Sequence, residues 1–224
     1  TAMKNVLVVV AHADDEVLGC GGTVARHTQR GDPVHIVVMA DGVSSRTEAR
    51  DADLTRRIEA SNLACDELGV SSLSFLGLPD NRMDSVPLLE CAQSLEPIIE
   101  RMSPAIIYTH HHGDLNVDHR LTHAAVMTVC RPLPCSPVRE IYGFEVLSST
   151  EWAIPLDLPF RPTYFVDISQ QLPTKLKALE AYAEEMRQVP HSRSIEHIEV
   201  LARHRGYSIG VDAAEAFSVY RIIS

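Results

Sequence analysis

Short apolar runs alternate with longer amphipathic segments along the first 130 residues. The apolar runs are short and rich in Val, Ile and Leu, and this pattern predicts buried strands at 4–10, 34–40, 72–75 and 105–109. The segments after them have helical periodicity, which predicts helices at 21–30, 52–68, 87–102 and 118–130. Strands that alternate with helices form parallel sheets, so we predict an α/β fold with a Rossmann-like, mostly parallel sheet and helices on both faces.

The last third of the chain is less regular. Its apolar pattern predicts strands at 139–147 and 164–167, helices at 172–186 and 190–206, and a closing edge strand at 217–223. No repeat, low-complexity stretch or linker interrupts the sequence, so we predict one domain over residues 1–224. Trp152 and the helix at 172–186 could cover a pocket or pack in the core, and we expect packing.

Charge and composition narrow the class of partner. The net charge is −10, which argues against nucleic acid or an anionic membrane as the main partner. No apolar run reaches the ~18 residues that span a bilayer, so we expect no membrane insertion. We see no signal peptide and no CxxC pair among the five cysteines, and we expect a cytoplasmic protein with reduced thiols. A homo-oligomer stays possible.

Polar clusters follow the predicted strands where ligands bind in such sheets. The first strand runs into "AHADDE" at 11–16, and the fourth into "HHHGDLNVDHR" at 110–120. If two histidines and one carboxylate of these clusters bound a metal ion, they would leave open coordination positions for water and substrate, as catalytic zinc prefers. The three acids could instead cap a helix N-terminus, His110 to His112 could be a solvated loop, and His123 is expected to be structural. We expect Glu16 to accept hydrogen bonds from local backbone amides.

Two motifs in order resemble those of a known family. "AHADDE" resembles the A-H-P-D-D-E signature of the PIG-L/LmbE-like zinc-dependent deacetylases, and "NVDH" is similar to their second motif, H-x-D-H. The intervening segments "RRIEASNLACDELGV" and "FLGLPD" also resemble the family's sequences. The resemblance extends from Met3 to about Gly210. It implies an LmbE-like fold and removal of N-acetyl groups from amino sugars or their conjugates.

The resemblance implies roles for individual residues. The implied metal ligands are His12, Asp15 and His119, which would hold Zn²⁺, with Fe²⁺ also possible. Asp14 matches the general base that takes a proton from water, and Asp118 matches an acid that orients or charges a histidine. On the substrate side, Arg56 matches an arginine that contacts substrate, and Asp80 of "LPD" matches an acid.

Two positions depart from the family pattern. Ala13 replaces the proline of the first motif, and Asn116 replaces the first histidine of the second. In relatives that histidine stabilises the oxyanion or assists proton transfer, whereas Asn can donate a hydrogen bond but cannot titrate. One of His110 to His112, with His111 as our choice, or His191 of "PHSRS" could take its place near the substrate.

The leading functional hypothesis is therefore hydrolysis of an N-acetyl group from an amino sugar, a sugar nucleotide or a glycan precursor of polysaccharide biosynthesis. The arginines near the second and third strand ends could meet an anionic group of the substrate or be solvated helix charges: Arg46, Arg50, Arg56 and Arg57. Three alternatives stay open. They are a zinc amidase for a non-sugar amide conjugate, a non-catalytic protein that keeps the zinc pocket, and a plain nucleotide-binding α/β protein.

Overall fold

Strands and helices alternate as the apolar pattern predicts. The computed structural model describes residues 3–41, 50–154 and 158–224. Within these ranges the strands are β1 (Val6–Val10), β2 (Val34–Ala40), β3 (Ser72–Leu78), β4 (Ile106–His110), β5 (Glu140–Phe144), β6 (Tyr164–Asp167) and β7 (Ala214–Ile222). The α-helices are α1 (Asp15–Gln29), α2 (Arg50–Leu68), α3 (Leu88–Met102), α4 (Val117–Val129), α5 (Leu172–Glu180) and α6 (Ile195–Tyr207). Two 3₁₀ turns lie at Met83–Ser85 and Thr150–Trp152.

The strands form one seven-stranded sheet in the order β3-β2-β1-β4-β5-β7-β6. The neighbours from β3 to β5 are parallel, and β7 is antiparallel to both β5 and β6. The predicted, mostly parallel α/β sheet is therefore confirmed. The strand order reverses between β1 and β4, and ligands of such sheets bind at the carboxyl ends around this point.

The prediction that the last strand closes an edge of the sheet is wrong. β7 lies between β5 and β6, and Phe217 at its centre is fully buried beside Tyr108 and Tyr164. The apolar pattern gives the strand itself, but it carries no information on which neighbours the strand pairs with. That choice depends on contacts between distant parts of the chain.

Both faces of the sheet are covered. Along β1, alternate residues point to opposite sides, so that Val8 joins a hydrophobic cluster with α1, α2, α5 and α6, whereas Leu7 joins one with α3 and α4. In the described part of the chain, no helix combines the length and apolar character that crossing a bilayer requires.

Helix α1 begins earlier than the sequence predicts because it consists of two segments. The backbone leaves the helical region at Cys20, with φ of −149°. Buried Glu215 of β7 accepts a hydrogen bond from the N–H of Gly22 at 2.9 Å, and Lys175 of α5 bridges Glu215 at 2.6 Å and the carbonyl of Leu18 at 2.9 Å. This buried pair joins the two segments, and the first one carries the acidic motif.

Helix α5 is shorter than predicted. It ends at Glu180 instead of continuing to residue 186, and the chain passes into turns. The turn carries Tyr182 inward, where its hydroxyl donates to Oε1 of Glu16 at 2.5 Å. In a longer helix, the helical periodicity would set the direction of the Tyr182 side chain. The contact between Tyr182 and Glu16 therefore accompanies the early end of α5.

Candidate metal centre and active site

The residues of the two motifs meet beyond the ends of β1 and β4, which are neighbours in the sheet. His12 follows β1, Asp15 begins α1, and His119 lies in the first turn of α4. Oδ2 of Asp15 lies 3.4 Å from Nδ1 of His12 and 3.3 Å from Nε2 of His119. One ligand atom from each residue lies within 4.8 Å of the others, so the three could hold a metal ion.

Each of the two histidines is backed by a second carboxylate. Nε2 of His12 lies 3.0 Å from Oδ2 of Asp118, which leaves Nδ1 toward Asp15. Nδ1 of His119 lies 3.2 Å from Oδ1 of Asp114, which leaves Nε2 toward Asp15. Metal-ligating histidines typically contact a carboxylate through the nitrogen that does not bind the metal, and this contact fixes the ring and raises its basicity. The donor set and its support therefore fit a divalent cation.

A second group of possible ligands shares His12, together with Asp80 and Asp118. The carboxylate of Asp118 already accepts from the backbone N–H of Asn81 at 2.6 Å and of Met83 at 3.0 Å, besides its contact with His12. A carboxylate with these three partners is suited to orienting the imidazole. The group with His12, Asp15 and His119 is therefore the better candidate for holding a metal.

The electrostatics of the site favour positive charge between the carboxylates. Burial lowers the pKa of His12, but Asp118 and Asp15 outweigh it and raise the value to about 10. Burial also opposes the charge of His119, yet Asp15 and Asp114 raise its pKa to about 9. Despite burial, the neighbouring histidines hold the pKa of the Asp15 carboxyl well below its usual range. A bound cation would supply the positive charge that these acids favour.

Asp14 lies beside the candidate ligands in an unusual backbone conformation. Its φ is +113° at the N-cap of α1, a region that residues other than glycine rarely adopt. Its backbone N–H donates to Oε2 of Glu16 at 3.0 Å, as expected for a local role of that acid. Burial raises the pKa of Asp14 to about 6, although Arg193, 2.9 Å from Oδ2, opposes the rise. Strain of this kind is typical of functional sites.

Arg193 is the main residue of the site that the sequence interpretation missed. It lies two positions beyond His191 in "PHSRS", and Nε also donates to the hydroxyl of Ser148 at 2.9 Å. His191 itself is exposed and packs against Trp152. The sequence points to this segment through its histidine, whereas in the folded loop it is the arginine that turns toward Asp14.

Asn116 caps α4 and lines the cavity. Its Oδ1 accepts the backbone N–H of Asp118 at 2.8 Å, and Nδ2 donates to Oδ1 of Asn81 at 3.2 Å. Asn116 lines the cavity together with Asp80 and the candidate ligands. This is the position at which the family resemblance implies a histidine.

The candidate replacement histidines do not line the cavity, although Nε2 of His110 lies 3.5 Å from Oδ2 of Asp15. His110 is fully buried and stacks on His119 with 3.9 Å between ring centroids, and its Nε2 accepts the N–H of Ala11. His111 contacts the carbonyl of Leu158 at 2.8 Å and the hydroxyl of Tyr220 at 3.2 Å, and His112 contacts the same hydroxyl. Among the described residues that line the cavity, the histidines are His12 and His119. Tyr220 thus holds two of the three consecutive histidines away from it.

The cavity over these residues has a volume of about 210 Å³. It is lined by His12, Asp14, Asp15, Arg57, Asp80, Asn81, Asn116, His119, Ser148, Ser149, Glu185 and Arg193. Arg57, not Arg56, is the arginine of α2 in this wall, and it pairs with Glu185 at 2.6 Å. Arg56 is exposed beside Asp53 and lines a neighbouring cavity. Arg46 and the side chain of Arg50 lie outside the described residues.

Comparison with known proteins agrees with this geometry. Residues 7–130, more than half of the chain, match the PIG-L family, described as GlcNAc-PI de-N-acetylase. The chain is 32% identical over 185 residues to the "uncharacterized deacetylase YaiS" of Escherichia coli K12, with 80% of this chain and 90% of that protein covered. It is also 29% identical over 199 residues to a 4-oxalmesaconate hydratase of Pseudomonas putida, with 82% and 74% covered.

The fold has a counterpart among solved structures. An N,N'-diacetylchitobiose deacetylase from Pyrococcus horikoshii superposes with a TM-score of 0.80. The match covers 97% of this chain and 84% of that one at 22% identity. At this identity the likeness concerns the fold, and it supports the predicted LmbE-like architecture.

Proposed function

The chain belongs to the PIG-L (GlcNAc-PI de-N-acetylase) family and is a deacetylase enzyme, and we propose that it hydrolyses the acetamido group of an uncharged amino sugar or sugar conjugate with zinc as its metal. The observation that carries the proposal is the position of Asp14. Its carboxylate lies in the same cavity as His12, Asp15 and His119, is not needed as a ligand, and is held by Arg193.

His12, Asp15 and His119 would hold the metal. When bound, a divalent zinc ion acts as a Lewis acid that lowers the pKa of water and polarises an amide carbonyl. Iron as Fe²⁺ would fit the same N,N,O set of ligands.

Asp14 is placed to move the protons of the reaction. With a pKa raised to about 6 by burial, its carboxylate is ionised at neutral pH and can accept a proton from the attacking water. The described cavity wall offers no histidine besides the two candidate ligands. We therefore assign to Asp14 the second transfer as well, in which the same proton passes to the nitrogen of the leaving amine.

Asn116 is placed to assist at the carbonyl oxygen. An amide NH₂ group has two N–H donors, and the side chain of Asn81 accepts one of them at 3.2 Å. The other can donate to an oxyanion as negative charge develops there, which needs no titrating group. This role makes the change from histidine to Asn116 compatible with activity.

The charges of the cavity favour an uncharged substrate. Its two arginines are both paired with carboxylates, Arg57 with Glu185 at 2.6 Å and Arg193 with Asp14 at 2.9 Å. An anionic group would have to compete with these carboxylates for the arginines, in a chain of net charge −10. We therefore favour a neutral acetamido sugar over a sugar nucleotide. The five unpaired cysteines fit a reducing compartment such as the cytoplasm.

One substrate panel tests the proposal. The zinc-loaded protein is given neutral N-acetylated sugars, an N-acetylated sugar nucleotide, N-acetylated thiol conjugates and unsaturated acids, and both acetate release and hydration are measured. We expect acetate mainly from the neutral sugars. Acetate from the thiol conjugates at an equal rate would identify a general amidase, and hydration without acetate would identify a hydratase like the Pseudomonas relative. A metal-loaded protein that turns over none of these compounds would contradict the proposed substrate class.

In the same experiment, the variant Asp14→Asn tests whether Asp14 is the general base. It should keep the metal, measured by elemental analysis, yet lose at least about 100-fold in kcat because a positioned base typically contributes that much or more. The matched control is Asp66→Asn, which removes an exposed acid of α2 far from the motifs in sequence. Near-wild-type turnover of Asp14→Asn would exclude Asp14 as the base.

A further inference from the structure

Trp152 is exposed where the sequence interpretation expects it to pack in the core. Its side chain is 52% accessible to solvent. It lies in the 3₁₀ turn Thr150–Trp152, directly after Ser148 and Ser149, which line the active-site cavity. An exposed indole leaves a large apolar surface in water, so covering it with a ligand would be favourable, and tryptophan is enriched at interfaces.

The loop that carries Trp152 is firmly attached to the metal site. The hydroxyl of Thr150 donates to Asp114 at 2.6 Å, and Asp114 in turn backs His119. Thr150 also accepts the N–H of Val146 at 2.8 Å and donates its own N–H to the carbonyl of Val146 at 2.9 Å. The indole therefore stands two residues from a group that is fixed to the metal-binding scaffold.

A second loop packs against the first and contacts the indole. His191 meets Trp152 in an edge-to-face arrangement, with 5.7 Å between centroids and 78° between planes. In the same loop, Arg193 donates to Ser148 and contacts Asp14. Both aromatic rings thus lie on loops whose other residues line the cavity and hold the proposed base.

We propose that Trp152, supported by His191, forms an aromatic platform on which a second pyranose ring of the substrate stacks outside the metal cavity. The cavity volume of about 210 Å³ is small beside the ~300–1,000 Å³ of typical ligand pockets, so it accommodates one sugar-sized group and the rest of a larger substrate extends beyond it. The C–H face of a pyranose is apolar and uncharged. It therefore matches an indole better than a phosphate or carboxylate would.

The inference rests on the proposed function, and the test separates the two. The probes are N,N'-diacetylchitobiose, which has a second ring, and the methyl glycoside of N-acetylglucosamine, which has one. Kinetics of acetate release are measured for wild type, Trp152→Ala, Trp152→Phe and the control Leu133→Ala, which truncates another exposed apolar side chain. We expect Trp152→Ala to raise KM for the disaccharide at least tenfold with kcat within twofold, Trp152→Phe to recover part of the loss, and KM for the single-ring probe to stay within twofold.

Binding has a separate readout because Trp152 is the only tryptophan of the chain. Its fluorescence should change saturably when the metal-loaded Asp14→Asn variant is titrated with the disaccharide, and not with the single-ring probe. An unchanged KM for the disaccharide in Trp152→Ala overturns the platform, whatever the emission does. If wild type releases no acetate while the disaccharide saturates the emission, the platform stands and the proposed hydrolysis of an amino-sugar acetamido group fails.

Discussion

Asp114 contacts His119 of the proposed metal site, and Asp114→Asn tests how much this contact contributes to metal binding. The carboxylate is 2% exposed and lies 3.2 Å from Nδ1 of His119. It also accepts from the N–H of Asn116 at 2.9 Å and from the hydroxyls of Ser149 and Thr150. The amide has the same shape but no charge, so His119 loses the negative partner that raises its basicity.

The expected loss follows from this geometry. Removing such a partner typically weakens metal binding by about 10- to 100-fold. At about 1.4 kcal/mol for each factor of ten, this corresponds to about 1.4–2.8 kcal/mol of binding free energy. The fold should tolerate the change, since the hydroxyls of Ser149 and Thr150 can rotate to accept as well as donate.

Competition with a chromophoric chelator measures the Kd for Zn²⁺ in wild type, Asp114→Asn and the exposed control Asp66→Asn. Urea unfolding of the metal-free proteins shows whether any loss comes from the fold. A Kd of Asp114→Asn within twofold of the control, with unchanged unfolding, would refute the reasoning that this acid tunes His119.

Three further substitutions address packing, protonation and the support of the base. Gly19→Ala should destabilise the fold by about 1–3 kcal/mol in urea unfolding, because a Cβ there would lie 2.2 Å from the ring of Phe144. Burial lowers the pKa of His123 to about 4, so the unfolded chain binds a proton below pH 6.5 that the folded chain does not. Stability should therefore fall as pH drops from 6.5 to 4, and His123→Gln should reduce that slope, which unfolding midpoints at several pH values would show. Tyr182→Phe removes the donor to buried Glu16 and should cost about 1–3 kcal/mol, with lowered kcat at full metal occupancy.

The sequence predicts most of the fold because its information is local. Buried parallel strands are continuous apolar runs, and β2 at Val34–Ala40 and β6 at Tyr164–Asp167 have the predicted bounds. The position of β7 in the sheet and the early end of α5 depend on distant contacts, such as that of Tyr182 with Glu16. Periodicity does not report contacts of this kind, which is why these two features differ from prediction.

The same distinction applies to the site. His12, Asp15 and His119 come together because two short motifs follow adjacent parallel strands, an arrangement that spacing and strand order can predict. Arg193 and Asp114 reach the site through loops that give no periodic signal. Their side chains could be solvated as readily as buried, and only the tertiary contacts decide.

One loop supports both the proposed metal site and the proposed base. Ser149 binds Asp114, which backs His119, whereas the neighbouring Ser148 binds Arg193, which holds Asp14. The candidate ligand His119 and the proposed base Asp14 therefore share a support that neither motif contains, and their positions depend on this loop as well as on the helices that carry them. A change of the loop backbone would shift both groups together. This explains physically how the less regular last third of the chain contributes to a site whose motifs lie in the first 120 residues.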